Sequence, residues 1–259
     1  MRLSLFALLD RWLAPAPVPD KASWLGAVAY AHRGLHGAGV PENALSAFRG
    51  ALARGMGIEC DVQLTQDGQA VVFHDFDLDR LTGDSGAVAL RSAAELARIQ
   101  LSDSADLIPT LRQMLDEVAG RVPLLIEIKS RRGSFAPSRQ LCSAVAQELQ
   151  GYAGPHAIMS FDPRVVRWFA AHRANTVRGL VMSEEHDRGL SGTIRRHLFL
   201  WRARPDFMAY DVCDLPSPFA AAQRARGLPV LTWTVRSADL RERAALHADA
   251  PIAEGEGVA

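Results

Sequence analysis

The stretch that decides the fold, residues 59–75, reads ECDVQLTQDGQAVVFHD. Alternate side chains of a strand share one face, so the carboxylates of Glu59 and Asp61 are expected to point the same way. Asp67-Gly68 lies between two apolar runs and predicts a tight hairpin turn. The returning strand then carries His74 back toward the two carboxylates. One local unit therefore combines an acidic pair suited to a hard cation with an imidazole.

Along the rest of the chain, apolar strand-like runs alternate with helical patterns, which is typical of parallel strands joined by crossover helices. Without the returning hairpin strand, the predicted parallel strands begin near Val28, Met56, Pro123, His156, Val177, Phe207, Pro229 and Ala248. Eight such strands in a chain of this length predict an α/β fold of the (β/α)₈ TIM barrel type. A small insertion after the second strand is expected at about residues 64–109, with a short helix over 92–100.

The N-terminal residues 1–27 are interpreted as a helix and a proline-rich connector, and residues 28–259 as the barrel domain. Apolar residues recur at helical spacing in the first part of this segment: Leu3, Phe6, Leu9 and Leu13. Asp10-Arg11 interrupts the apolar core that a signal peptide needs, so a cytoplasmic location is predicted. Such a helix packs on the domain in one interpretation and touches a membrane surface in the other.

The composition excludes some classes of protein. The 29 basic and 29 acidic residues give a formal net charge of zero, which argues against a nucleic-acid-binding protein. Arginine supplies nearly all the positive charge, since Lys21 and Lys129 are the two lysines of the sequence. Three widely spaced cysteines without a CxxC pair disfavour a zinc site or a disulfide framework. The balanced charge does not exclude a small anionic site, and the composition does not indicate an oligomeric state.

Chemically versatile side chains gather where the predicted strands end, which is where barrel enzymes place their active sites. They are His32, Arg33, Glu59, Asp61, His74, Glu127, Lys129 and Trp233. The three carboxylates suit Mg²⁺ or Ca²⁺, the two cations suit a phosphate, and the two histidines suit acid–base work. Each residue alone has a structural explanation, such as an ion pair between Glu127 and Lys129. The common position at one barrel end favours a phosphodiester reaction instead.

Several ordered motifs together resemble the glycerophosphodiester phosphodiesterase (GDPD) family. They are Ala31-His32-Arg33-Gly34, Glu42-Asn43, Glu59-Cys60-Asp61, His74-Asp75, Glu127-Ile128-Lys129 and Trp233-Thr234-Val235, and the resemblance covers roughly residues 28 to 255. It implies a TIM barrel with a small insertion and a divalent cation, Mg²⁺ or Ca²⁺, held by three carboxylates.

The resemblance also implies a role for each site residue. Three carboxylates match the family's metal ligands: Glu59, Asp61 and Glu127. Two histidines match its acid–base residues: His32 and His74. Three further residues match positions that contact the substrate: Arg33, Lys129 and Trp233. Glu42 is interpreted as a metal ligand or as a neighbour of the ligands. One departure concerns the helix predicted over 44–54, which Asn43 is expected to cap. The family commonly has Thr where this chain has Ala44, so a hydroxyl at the helix start is absent.

The implied reaction is metal-dependent hydrolysis of glycerophosphodiesters to glycerol 3-phosphate and an alcohol, in phospholipid-derived glycerol metabolism. A glycerol hydroxyl attacks phosphorus, and water then opens the cyclic phosphate. Phospholipase D-like cleavage of lysophospholipids by the same site is an alternative, and a non-catalytic phosphodiester-binding barrel is another. A metal-dependent aldolase or isomerase would use Lys129 as a Schiff base, although neighbouring carboxylates favour its charged form.

Overall fold

The computed structural model of the protein describes residues 5–185 and 188–258. Leu3 of the predicted N-terminal helix therefore lies outside the described residues. Two compact units make up the chain: one comprises Tyr30–His156, and the other Met1–Ala29 with Ala157–Ala259.

The strands are β1 Tyr30–Ala31, β2 Gly57–Leu64, β3 Ala70–Val72, β4 Leu124–Ile128, β5 His156–Ser160, β6 Val177–Met182, β7 Phe207–Asp211, β8 Val230–Val235 and β9 Ala250–Ala253. The helices are α1 Leu5–Leu13, α2 Pro19–Ala22, α3 Leu45–Ala53, α4 Ala93–Leu96, α5 Leu111–Val118, α6 Ala136–Glu148, α7 Pro163–His172, α8 Leu190–Ala203, α9 Pro218–Ala225 and α10 Ala238–His247.

Within the first unit β2 pairs in parallel with β1 and β4, and within the second β5 to β9 pair in parallel in sequence order. The fold is a (β/α)₈ TIM barrel, as predicted, with β3 as an antiparallel addition.

The hairpin predicted between β2 and β3 is confirmed. The two strands are antiparallel, with Leu64 opposite Ala70 and Val62 opposite Val72. Gly68 occupies the turn with φ of 79°, a left-handed conformation that glycine adopts without a steric penalty. The eight parallel strands therefore exclude β3, which is the assignment on which the predicted strand count depended.

Side chains that accept hydrogen bonds from first-turn amides define the starts of several helices. Thr110 and Gln113 form a reciprocal capping box at α5. Asp162 and Ser217 cap α7 and α9, and each precedes a proline at the first helical position. In contrast, Ala44 stands at the cap position before α3 and offers no side-chain hydrogen bond, as the loss of a hydroxyl at this position predicts.

The insertion after β2 supplies most of one apolar cluster, which it shares with α3. Leu78, Val88, Leu96 and Leu101 are buried there and pack in one cluster with Phe73. The helix predicted over residues 92–100 is shorter, because it ends at Leu96 and the chain then becomes extended, with Gln100 bridged to Leu107. Burial of side chains from this extended segment replaces the last predicted helical turn.

The N-terminal helix α1 is held to α8 and α9 by one buried carboxylate. Asp10 is 2% exposed. It accepts hydrogen bonds from His197 Nδ1 at 2.8 Å, Trp201 Nε1 at 2.7 Å and Gln223 Nε2 at 2.7 Å. Phe6 stacks on the His197 ring, with centroids 4.3 Å apart. The described part of the helix thus packs on the domain, as one interpretation predicts, whereas contact with a membrane surface stays a prediction.

No helix in the described residues is both long enough and apolar enough to cross a bilayer.

We predict that Asp10→Ala destabilises the protein by about 1–3 kcal/mol, because three donors, two of them on buried residues, lose their acceptor. Burial alone would raise the pKa of Asp10, but the hydrogen bonds from His197, Gln223 and Trp201 outweigh it and lower the pKa. This part of the stability is present above the ordinary pKa of an aspartate and is lost as pH falls through the lowered value. Urea unfolding at neutral and acidic pH measures both effects.

The matched control is Asp84→Ala, at an exposed loop position, which should change the unfolding free energy by less than about 0.5 kcal/mol. Equal stability of Asp10→Ala and the wild type would contradict the proposed anchoring of α1.

Candidate active site

Three buried carboxylates meet on β2 and β4. Asp61 lies directly opposite Glu127 in the parallel register, so the two side chains share a face of the sheet. Glu59, two residues before Asp61, lies on the same face. Oxygen atoms of Glu59, Asp61 and Glu127 lie within 4.8 Å of one another. The strand alternation that predicted this proximity is therefore confirmed.

The charges of this cluster are strongly coupled. Burial, followed by repulsion from Asp61 and Glu127, raises the pKa of Glu59 well above its ordinary value. Burial acts in the same direction on Asp61, but Lys129, His74, Arg33 and a hydrogen bond from Asn43 outweigh it and lower its pKa. Because Glu59 binds its proton more tightly in the folded state, folding stability should fall as pH rises through the interval between its ordinary and raised pKa values.

Lys129 and Arg33 flank the carboxylates. Lys129 Nζ lies 3.1 Å from Asp61 Oδ1 and 3.0 Å from Glu127 Oε1. Burial alone would lower the pKa of Lys129, but Asp61 and Glu127 outweigh it and raise the pKa. The lysine is therefore charged at neutral pH, which disfavours a Schiff-base role because that role needs a neutral amine.

The loop after β1 brings Arg33 to the cluster. The Arg33 backbone N–H donates to Glu59 Oε2 at 3.0 Å, and Arg33 Nε lies 3.3 Å from Asp61 Oδ2. Its φ of 55° is left-handed, a strained conformation for a residue with a side chain. The next residue, Gly34, has φ of 79°, and a Cβ there would lie 2.8 Å from the Ala47 side chain. A glycine is thus required for α3 to approach this loop so closely.

Asn43 orients Asp61 and does not cap α3, so the predicted capping role is wrong. Asn43 Nδ2 donates to Asp61 Oδ2 at 3.0 Å, and the Asp61 backbone N–H donates to Asn43 Oδ1 at 3.2 Å. The residue is buried and has φ of 60°, which turns its side chain toward β2. Asn43 belongs to a motif noted in the sequence, but the local helix-start pattern concealed its partner 18 residues away.

His74 follows β3 and is held by Asp75 and Arg80. His74 Nδ1 donates to Asp75 Oδ1 at 2.6 Å, which leaves Nε2 as the ring nitrogen for proton exchange. Arg80 binds the same carboxylate, and its hydrogen bond is the largest cause that lowers the pKa of Asp75 to about 2. Asp75 therefore remains ionised and can stabilise a protonated His74. Sequence reasoning gave no role to Asp75 or Arg80.

Glu42 bridges Arg33 and Arg80. Its Oε1 accepts from Arg33 Nη1 at 2.7 Å and from Arg80 Nη2 at 2.8 Å. Among the described residues, Glu42 does not belong to the group of carboxylates close enough to share an ion. Its position agrees with the interpretation of Glu42 as a neighbour of the ligands, because it orients arginines that contact the site.

The remaining predicted site residues are His32 and Trp233. His32 is buried, with Nε2 4.0 Å from Glu59 Oε2. Trp233 belongs to β8 in the other unit, where its Nε1 donates to the Ala209 carbonyl at 3.0 Å and its ring meets Phe161 edge-on. The structure thus brings the predicted residues of the first unit together, and the assignment of Trp233 to substrate binding stays a prediction.

The carboxylate cluster fits a hard divalent cation. Mg²⁺ and Ca²⁺ take oxygen ligands, and Glu59, Asp61 and Glu127 supply carboxylate oxygens from rigid strands. Burial, followed by repulsion from Asp61 and Glu127, raises the pKa of Glu59 even with Arg33 nearby, and a cation bound between the carboxylates would offset that repulsion. The donor set therefore suits the ion that the sequence predicts, without selecting between the two metals.

A profile of the Glycerophosphoryl diester phosphodiesterase family matches residues 32–252. The chain belongs to this family. Its members are named for phosphodiester hydrolysis, which places the family among the phosphoric diester hydrolases. The resemblance derived from the ordered motifs is confirmed.

Individual relatives support the same family. A glycerophosphodiester phosphodiesterase of Bacillus altitudinis is 40% identical over 113 residues, which is 41% of this chain and only 46% of that protein. YhdW of Bacillus subtilis is 33% identical over 214 residues, which is 80% of this chain and 85% of that protein. The solved structure of an Oleispira antarctica phosphodiesterase, in complex with the product sn-glycerol-3-phosphate, has a TM-score of 0.75 at 23% identity. The matched region covers 87% of this chain and 92% of the Oleispira antarctica chain, and this likeness shows the fold.

We predict that Asn43→Ala lowers the affinity for Mg²⁺ or Ca²⁺ by ~10- to 100-fold, because Asp61 loses the amide that orients it. Calorimetric titration of the protein with each cation measures this effect without any need for activity. Asn175→Ala, at an exposed position, is the matched control and should bind like the wild type. Unchanged affinity in Asn43→Ala would show that Asp61 needs no such support or is not a ligand.

Proposed function

We propose that the protein hydrolyses glycerophosphodiesters to glycerol 3-phosphate and an alcohol with the help of a divalent cation. The observation that carries this proposal is the juxtaposition of three buried carboxylates with Arg33, Lys129 and His32. Membership of the phosphodiesterase family supports the reaction class. The product named in the Oleispira antarctica structure supports a glycerol phosphodiester as the substrate class.

The binding part of the mechanism rests on charge. Arg33, as a guanidinium, and Lys129, as a compact ammonium, would pair with the two non-bridging oxygens of a phosphodiester. A divalent cation on Glu59, Asp61 and Glu127 would add charge neutralisation at those oxygens. Burial of these groups strengthens each interaction relative to water, since the effective dielectric constant is lower there.

The two histidines then account for the proton transfers. One imidazole removes the proton from the substrate's glycerol hydroxyl, whose oxygen forms a bond to phosphorus while the bond to the alcohol oxygen breaks. The other imidazole gives a proton to that leaving oxygen. In the second stage water adds to the cyclic phosphate, one ring P–O bond breaks, and the histidines exchange protons in the reverse sense. Asp75, ionised and bonded to His74, stabilises the imidazolium form of that residue.

This arrangement favours an enzyme over a module that only binds phosphodiesters. Binding alone needs Arg33 and Lys129, whereas the Asp75–His74 pair and the Arg80 that holds it have no use in recognising a diester anion. We further propose that the substrates derive from phospholipid breakdown, and the cytoplasmic location stays a prediction. A panel of glycerophosphodiesters and lysophospholipids, assayed with each cation, would identify the preferred alcohol group and metal.

Removal of divalent cations should abolish turnover. We expect protein treated with EDTA and then dialysed to release no glycerol 3-phosphate from glycerophosphocholine, and added Mg²⁺ or Ca²⁺ to restore release. A coupled assay for glycerol 3-phosphate measures the rate, and thermal unfolding of the treated sample confirms that it is folded. Undiminished turnover after treatment would refute the metal requirement.

Replacement of either histidine should remove a proton-transfer group. We expect His32→Ala and His74→Ala each to lower kcat on glycerophosphocholine by ~10²-fold or more. His172→Ala is the matched control, because His172 is an exposed histidine at the end of α7 and should leave kcat unchanged. Turnover within a few-fold of the wild type in either site variant would exclude that residue as an acid or base.

A further inference from the structure

Two neighbouring helices, α1 and α8, present large apolar side chains to solvent. On α1, Leu8 is 53% and Trp12 77% exposed. On α8 the exposed apolar residues are Leu190, Ile194, Leu198 and Phe199. We call these residues, together with the exposed arginines Arg11, Arg195 and Arg202, the α1/α8 face. A group of exposed apolar side chains of this size marks an interaction surface more often than an isolated exposed leucine does.

The contacts that hold α1 in place do not use this face. Phe6 and Asp10 pack against His197 and Trp201 of α8. Leu8 and Trp12 are four residues apart on another side of the helix and remain exposed. One side of the helix is therefore docked on the protein, and a second, apolar side is exposed to solvent.

The exposed apolar residues of α8 also lie on a side of the helix that faces solvent. Leu190, Ile194 and Leu198 recur every four residues, which places them along one line of the helix surface. The buried side of α8 is formed by other residues, among them Arg196 and Leu200. Since α1 packs directly on α8, the solvent-facing residues of the two helices lie on adjoining surface.

The charge of this surface has one sign. Across described residues 5–13 and 190–203, Asp10 is the single acidic residue, and it is buried against its three hydrogen-bond donors. Arg11, Arg195 and Arg202 are exposed. A protein of zero formal net charge thus has a local surface that is basic and apolar together.

We propose that the α1/α8 face binds the surface of an anionic lipid bilayer. Helices that lie in a membrane interface combine arginine or lysine with tryptophan, phenylalanine and leucine, which is the composition found here. Trp12, the most exposed of the large hydrophobic residues, suits the depth of the headgroups, where indole rings concentrate. The hydrogen bonds of Asp10 would transmit the anchorage of α1 to the folded domain. This binding goes beyond the proposed hydrolysis and does not depend on it.

A second copy of the chain suits the face less well than anionic lipid. In a two-fold symmetric dimer the same surface meets itself, so the arginines of one copy would approach those of the other. Like charges brought together in this way oppose association. A surface of phosphatidylglycerol offers the opposite charge to the arginines and an apolar layer to Trp12 and Leu198.

Vesicle flotation with the full chain tests the proposal. We expect the protein to float with vesicles of equal parts phosphatidylglycerol and phosphatidylcholine and to stay behind with vesicles of pure phosphatidylcholine. Binding should weaken in 1 M salt, where the screening length falls to about 3 Å. Absence of flotation with the anionic vesicles at low salt would overturn the proposal.

Matched variants locate the binding surface. Trp12→Glu and Leu198→Glu should each lower the vesicle partition coefficient by ~10-fold or more, since each removes an apolar anchor and adds a repelled charge. Leu246→Glu is the control: Leu246 is 71% exposed on α10, outside the face, and the variant should bind like the wild type. Glycerophosphocholine turnover and thermal unfolding should be the same in all of them, because these residues lie outside the site and the core.

Three outcomes would refute the lipid assignment. Equal flotation of Trp12→Glu, Leu198→Glu and the wild type would place binding elsewhere on the molecule. Equal loss in Leu246→Glu would attribute the effect to net charge. In the third outcome, light scattering shows that the wild type is a dimer and Trp12→Glu a monomer. With no vesicle binding, that result would identify a second copy of the chain as the partner of this face. Because flotation needs no turnover, failure of the proposed hydrolysis would leave these results interpretable.

Discussion

Mutual repulsion among three buried carboxylates is the constraint on which the site depends. Glu59, Asp61 and Glu127 stand on two adjacent parallel strands whose register places them at one level, so the barrel itself enforces their proximity. The immediate surroundings offset part of the charge through Arg33 and Lys129. Burial, followed by repulsion from Asp61 and Glu127, nevertheless raises the pKa of Glu59. A cluster of this kind lowers folding stability until a cation or a proton neutralises it, which is a cost expected of a functional site.

A continuous chain of polar contacts extends from this cluster to the hairpin. Arg33 contacts Asp61 and binds Glu42, Glu42 binds Arg80, and Arg80 binds Asp75. Asp75 in turn accepts from His74. Arg33, Glu42 and Arg80 therefore each lie between two oppositely charged groups. The chain fixes the position of His74 relative to the carboxylates, although His74 lies on a loop rather than on a barrel strand.

Local patterns in the sequence were sufficient for much of this arrangement. The two-residue spacing of Glu59 and Asp61 on a strand, and the Asp67-Gly68 turn, are short-range features, so they predicted the acidic pair and the hairpin correctly. The role of Asn43 depends on a partner that is distant in sequence, and its helix-start context suggested a cap instead. The burial of Asp10 could not be predicted, because its three donors come from α8 and α9. The helix over residues 92–100 was predicted too long, since propensity does not reveal that Leu101 is drawn into a core.

Thermal unfolding of the wild type and of Glu59→Gln, each with and without Mg²⁺ or Ca²⁺, tests most directly whether the carboxylate cluster is a cation site. In the absence of cations Glu59→Gln should unfold at the same or a higher temperature, because one source of repulsion is removed while an oxygen still accepts from Arg33 N–H. At a cation concentration of about 100 times Kd the wild-type midpoint should rise by roughly 5–10 °C, and that of the variant by much less. A wild-type midpoint that does not respond to either cation, or a variant that responds fully, would contradict the assignment.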